Sequence, residues 1–143
     1  MQFTALAAAV AFAVLPSALA ANWDVAVGPN NQFAYSPTTI TPAVGDTVTF
    51  TFMSRNHSAT TTDFNNPCPP PPGGLGPGAF DTGFHSATTG DQPVVVVTIE
   101  DTDPHFVSCM QAAGAHCRLG MTLAINPTAD QTYEQFLANA LAD

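Results

Sequence analysis

The hexapeptide Thr47–Phe52, TVTFTF, alternates threonine with Val48, Phe50 and Phe52. A period of two puts every apolar side chain on one face of an extended strand and every threonine on the other. Such a strand needs a second layer over its apolar face, so it commits the chain to a packed sheet. Gly45-Asp46 just before it is a turn signal. Other extended runs surround it. Asn22–Val27 is a short alternating run, and Gln32–Ala43 is extended but broken by Pro37 and Pro42, as on an edge strand. Val94–Ile99 (VVVVTI) is dense in β-branched residues and predicts a central strand. Phe106–Cys109 and Met121–Ile125 add two more. Turn residues separate these runs and no βαβ alternation appears. The expected fold class is all-β, a Greek-key β-sandwich.

Two segments depart from the strand pattern. Pro67–Gly78 (PCPPPPGGLGPG) cannot sustain a ladder and predicts a stiff connecting loop. Ala129–Ala142 is helical in composition. Its Tyr133, Phe136, Leu137 and Leu141 fall at helical spacing, which predicts a short structural helix packed on the sandwich.

Residues 1–20 form an uncharged apolar run that ends in Ala18-Leu19-Ala20, the small-x-small pattern of signal peptidase. The run is too short for the roughly 20 residues of a membrane span, and Pro16 sits near its end. The expectation is a secretion signal followed by one domain, residues 21–143, outside the cell. The final LANALAD lacks the hydrophobic tail of a lipid-anchor signal. A free, soluble protein without a membrane span is expected, as a monomer. Two basic residues, Arg55 and Arg118, stand against eleven acidic ones. Nucleic acid and anionic membranes are therefore poor partners, because phosphate binding needs lysine and arginine.

The chain has three cysteines, Cys68, Cys109 and Cys117. An oxidising compartment pairs thiols, so an odd count leaves one over. That thiol pairs with another chain, stays buried and inert, or binds metal. Cys109 with Cys117 is itself a feasible pair, since seven residues separate them. Cys109, His116 and Met121 also make the pattern C-x6-H-x4-M across a strand, a loop and the next strand. Upstream, Asn56-His57-Ser58 follows the TVTFTF strand. One thiolate, two imidazoles and a thioether are the donors of a type 1, or blue, copper site. The thiolate suits Cu(I), the imidazoles suit both oxidation states, and a weak axial thioether tunes the potential. Zinc takes the same sulfur and nitrogen donors but prefers a closed tetrahedron without a thioether.

With these residues in view, the sequence resembles the small secreted fungal cupredoxins, relatives of the plant phytocyanins. The matching stretches are FAYSPTTITPAVGDTVTFTF, NHSATTTDFNNPC, DPHFVSC and HCRLGMTLAINP, which run from about Phe33 to Pro127. The resemblance implies a cupredoxin sandwich holding one copper ion through His57, Cys109, His116 and Met121. It implies a Cys68–Cys117 disulfide, with Ser58 offering a backbone or hydroxyl donor to the thiolate. It also implies one-electron transfer through the edge of His116, near Leu119 and Gly120, to an unidentified redox protein or small redox molecule. The chain departs from the family before the thiolate position. His105-Phe106-Val107-Ser108 stands where the family carries an aliphatic-aromatic run often ending in tyrosine, so packing there is smaller or more polar.

His85 and His105 match no ligand position and are read as non-ligands. Met121 alone is also a plausible core filler. Asn56-His57-Ser58 spells a glycosylation sequon that is expected to stay unoccupied beside a metal ligand. A copper-sequestering or cell-wall-associated binding module is the rival to electron carriage. A copper enzyme is not expected. A three-copper oxidase cluster needs several His-x-His pairs, and the four histidines form none. A lytic monooxygenase needs an N-terminal histidine, whereas cleavage after Ala20 exposes Ala21.

Overall fold

A computed structural model describes residues 19–88 and 90–143 of the chain. The secretion signal expected over residues 1–20 lies almost wholly outside the described residues. Among the described residues, ten strands and two short α-helices follow one another. They are β1 Asn22–Val27, β2 Tyr35–Ser36, β3 Thr39–Ile40, β4 Thr47–Phe52, β5 Asn56–His57 and β6 Thr60–Thr62. Then come β7 His85–Ser86, β8 Val94–Thr98, β9 His105–Ser108, α1 Ala115–Arg118, β10 Thr122–Ile125 and α2 Tyr133–Ala142. One sheet has the order β2-β1-β4-β8, a second β3-β10-β9-β6, and β5 pairs with β7 alone. The pairs β1–β4 and β3–β10 are parallel, and the other ladders are antiparallel.

The alternation of β4 sets the first layer. Val48, Phe50 and Phe52 are fully buried. They meet Val25 and Val27 of β1 from the same sheet, and Val107, Leu123 and Ile125 from the facing one. The segment read as one proline-broken edge strand is two edges. Its first half, β2, flanks β1, and its second half, β3, flanks β10 on the other sheet. Pro37 stands between them and donates no hydrogen bond, so the chain changes sheet there.

The second sheet is buried on both faces, which is why β9 and β10 show no exposed residue. Val107, Leu123 and Ile125 point into the sandwich, while Phe106 and Ala124 pack under Phe136 of α2. Ala124 is small enough to leave room for that ring. The Phe106 and Phe136 rings stand 4.8 Å apart. The helix begins at Tyr133, later than the expected Ala129, because Thr132 caps it. The Thr132 hydroxyl accepts from the Gln135 N–H, and the Gln135 side chain accepts from the Thr132 N–H. Leu141 faces solvent, 57% exposed, and Ala140 takes the buried position beside the disulfide. The helical spacing was read one residue out of phase at that end.

Val94–Thr98 is not central. It forms the outer strand β8, paired only with β4, with Val94 and Val96 outward at 54% and 58% exposure. β-branched density reports strand propensity, not position in the sheet. Gly45 takes φ +89° in the turn into β4, and the Asp46 carboxylate ties that turn down. It accepts hydrogen bonds from the Ala21 N–H, the Ala43 N–H and the Trp23 indole at 2.7, 2.9 and 3.0 Å. These donors hold the Asp46 pKa below the usual carboxylate range, with the Ala21 bond the largest cause. Among the described residues, no helix is long and apolar enough to cross a membrane.

Candidate metal centre

Each chemistry-bearing side chain arrives at one end of the sandwich by its own device. His57 ends β5, just after Arg55 reverses the chain at φ +56°. Its ring lies so close to Gly28 that a Cβ there would come within 2.8 Å of His57 Cδ2 and Nε2. Gly28 also has φ +71°, so both the backbone and the close approach require glycine. Cys109 follows β9 as a fully buried free thiol. His116 sits in the single turn of α1, reached through Ala112, Ala113 and Gly114, all with positive φ. Met121 follows Gly120 and is fully buried in the same apolar cluster as Cys109. Its N–H donates to the His116 carbonyl at 3.1 Å, which closes the loop between the two.

Three of these side chains converge. His57 Nδ1 and His116 Nδ1 are 3.2 Å apart, and Cys109 Sγ lies 3.8 Å from the first and 3.6 Å from the second. A circle through corners with those spacings has a radius of about 2.1 Å, the range of metal–nitrogen and short metal–sulfur bonds. Together with Cys109 Sγ these atoms form the one group of three or more metal-ligating side chains among the described residues. Nε2 of His57 is buried without a hydrogen-bond partner, and Nδ1 of the same ring faces His116 Nδ1 and Cys109 Sγ. His85 and His105 are elsewhere. The His85 ring lies against Phe52 and meets the Thr82 carbonyl, and His105 Nε2 meets Asp101 at 2.7 Å.

Burial sets the protonation of the candidate donors. Burial pushes the His57 pKa down to about 4, helped by His116 and then Arg55. Burial, then Arg55, also lowers His116. Both rings are therefore neutral near pH 7, with nitrogen lone pairs free for coordination. Burial raises the Cys109 thiol, opposed by hydrogen bonds from Ser58 and Gln111. Without a cation that thiol keeps its proton, and a coordinated metal removes it. A soft thiolate beside two imidazoles is the donor chemistry of copper.

The surrounding shell is local and specific. The Ser58 N–H points at Cys109 Sγ from 3.4 Å, so the backbone supplies the donor anticipated there. The Ser58 hydroxyl also contributes a hydrogen bond to the thiol and accepts from the Met110 N–H at 3.0 Å, while the Ser58 carbonyl accepts from the buried Tyr35 hydroxyl. Cys68 and Cys117 are joined in a disulfide across a separation of 49 residues, which fastens the proline loop beside His116. Ser108, where smaller or more polar packing was the expectation, donates to the Pro67 carbonyl at 3.0 Å. The smaller residue makes a polar tether to the same loop. Sequence reading missed Gly28, Phe33, Tyr35 and Gln111. Phe33 and Tyr35 stood in the extended segment without a signal, since their partners come from other strands.

No family model matches the chain. Among curated proteins it is similar to one from Arthroderma benhamiae named "Probable GPI-anchored cupredoxin-1", at 29% identity over 121 residues. That match covers 82% of this chain and 59% of the relative, so the chain spans about three-fifths of the relative's length. Among solved structures it is similar to a purple cupredoxin from Nitrosopumilus maritimus, with a TM-score of 0.52 at 18% identity, over 72% of this chain and 96% of that one. A dithionite-reduced auracyanin from Roseiflexus castenholzii gives 0.51 at 16% identity, over 76% and 97%. A mutant fern plastocyanin gives 0.50 at 20% identity, over 71% and 96%. The fold is the cupredoxin fold.

Proposed function

We propose that the protein is an extracellular one-electron carrier that holds a single copper ion. The observation that carries this reading is the triangle of His57 Nδ1, His116 Nδ1 and Cys109 Sγ, with edges of 3.2, 3.6 and 3.8 Å. These three atoms would hold the ion, and Met121, buried beside Cys109, would offer its thioether as the weak axial donor. A bound copper ion supplies reversible one-electron chemistry, which no side chain here provides alone. The chain's part is to fix the donors. Gly28 lets the His57 ring seat, the Met121 N–H closes the loop on His116, and the Ser58 N–H stabilises negative charge on Cys109 Sγ. His57 and Cys109 are fully buried, whereas His116 is half-buried, so His116 is the route by which an electron reaches the surface. The role is carriage rather than bond-changing catalysis.

The apolar run before Ala21 and the relative's name, which marks that protein as GPI-anchored, support a place outside the cell or at its surface. The test is a visible spectrum of protein spanning Ala21–Asp143 after addition of Cu(II), beside Cys109→Ala. An intense blue band, absent in the variant and bleached reversibly by a mild reductant, is the expected result. A binding or sequestering module would give either no such band or a centre that does not cycle, and that result refutes carriage.

A further inference from the structure

His116 does not meet solvent with a bare ring face. The Phe33 ring lies over it at 4.4 Å between centroids, tilted by 40°. The Arg55 guanidinium lies over the Phe33 ring, 4.8 Å from its centroid. Phe33 therefore touches both the half-buried imidazole and the exposed Arg55 side chain. Arg55 is held there deliberately: it keeps φ +56°, a conformation costly for a residue other than glycine or asparagine. Its Nε also donates to the Asn31 carbonyl and to Asn31 Oδ1 at 3.1 and 2.8 Å. Among the described residues its Nη groups make no hydrogen bond, and the side chain is exposed.

Charge makes this placement selective. The chain carries two basic residues and a formal net charge of −9. One of those two cations lies over Phe33, so its charge is no more than about 9.2 Å from the His116 ring centre by the two spacings. That is inside one Debye length of about 10 Å at 0.1 M salt. The acidic whole repels a large anionic protein at long range. A small anion that comes close feels the nearby guanidinium above the distant screened charges.

We infer that Arg55, seated on Phe33, is the specificity-determining residue of the electron port and selects a small anionic redox molecule as partner. The inference rests on the one-electron reading of the site. One electron leaves the reduced centre and one oxidant molecule gains it, with no bond made and no proton moved.

The experiment compares oxidation of the reduced, copper-loaded protein by hexacyanoferrate(III), a 3− probe, and by tris(phenanthroline)cobalt(III), a 3+ probe, in stopped flow. The variants are Arg55→Asn, Arg55→Lys and Arg118→Gln. Asparagine tolerates the left-handed backbone, so Arg55→Asn removes the charge without added strain. Arg118→Gln changes the net charge equally at another place. The expected result at low salt is that Arg55→Asn slows the anionic probe by about threefold to tenfold and speeds the cationic one, a gap that closes as salt rises. Arg55→Lys and Arg118→Gln keep the wild-type preference. If Arg55 only tuned the potential, its removal would shift both rates in the same direction, and that would overturn the inference. Equal effects of Arg55→Asn and Arg118→Gln would overturn it too, by showing net charge alone at work. Wild-type protein that gives no blue band would overturn the copper reading itself, a failure visible before any rate is measured.

Discussion

The disulfide should supply a large share of the stability, and its worth follows from its position. Cys68 and Cys117 are 49 residues apart. Closing a loop of that length in the unfolded chain removes entropy of about 14 cal/mol/K, or about 4 kcal/mol at 25 °C. Whole domains are stable by about 5–15 kcal/mol, so the term is not marginal. The proline loop has other tethers, since the Pro67 carbonyl accepts from the Thr62 and Ser108 hydroxyls at 2.9 and 3.0 Å. Each is worth about 1 kcal/mol, so the pair does not replace the cross-link. The double variant Cys68→Ala/Cys117→Ala is the clean perturbation, because serine would bury an extra hydroxyl at Cys117. Urea unfolding followed through Trp23 should show the unfolding free energy down by about 4 kcal/mol, with a steeper m because the unfolded chain expands. A loss under about 1 kcal/mol with unchanged m would refute the loop-entropy account, placing the loop's stability in its hydrogen bonds.

Three further outcomes are expected. In the metal-free protein His57 has a pKa of about 4, against about 6.5 in an unfolded chain. Within that window the unfolded state binds the proton and the folded state does not, so stability falls as pH is lowered, by up to about 3 kcal/mol. Thermal melts between pH 7 and pH 4.5 should show this decline, and His57→Gln should reduce it to the part that His116, also lowered by burial, contributes. Phe136→Ala empties a fully buried site against Phe106. It should cost about 3–5 kcal/mol in urea unfolding, with loss of the helical circular dichroism of α2. Asn56 is half-buried, and its Nδ2 donates to Gln111 Oε1 at 3.1 Å on the loop leading to His116. Protein expressed through a glycosylating secretory host should therefore show no mass change on treatment with an N-glycosidase.

What was legible in the sequence was local. The strand β4 announced itself because period-two alternation is a backbone property that tertiary structure had no reason to override. The C-x6-H-x4-M spacing was legible because Cys109, His116 and Met121 lie on one strand-loop-strand unit whose geometry is fixed over a few residues. His57 could be paired with them only through its place after β4 and the wider resemblance. The errors have the same cause in reverse. The run Val94–Ile99 predicts a central strand because four valines are a strong strand signal, yet a run of valine says nothing of which neighbours the ladder supplies. Only β4 lies beside it, and two of the valines face water.

The features that shape the site's surface were illegible for a deeper reason. Phe33, Arg55 and His116 come from three separate stretches, and nothing in any one stretch marks it. They meet because β2 lies on the edge beside β1, Arg55 turns left-handed after β4, and the Cys109–His116 loop folds back over the same end. Phe33 reads as one more extended apolar residue, and Arg55 as an ordinary solvated charge. Their stacking turns a polar surface residue into a fixed cation near the half-buried metal-site ring. The residue types of three candidate donors, Cys109, His116 and Met121, stand at short spacing in the sequence, whereas access to them is fixed by contacts between distant strands, which only the fold specifies.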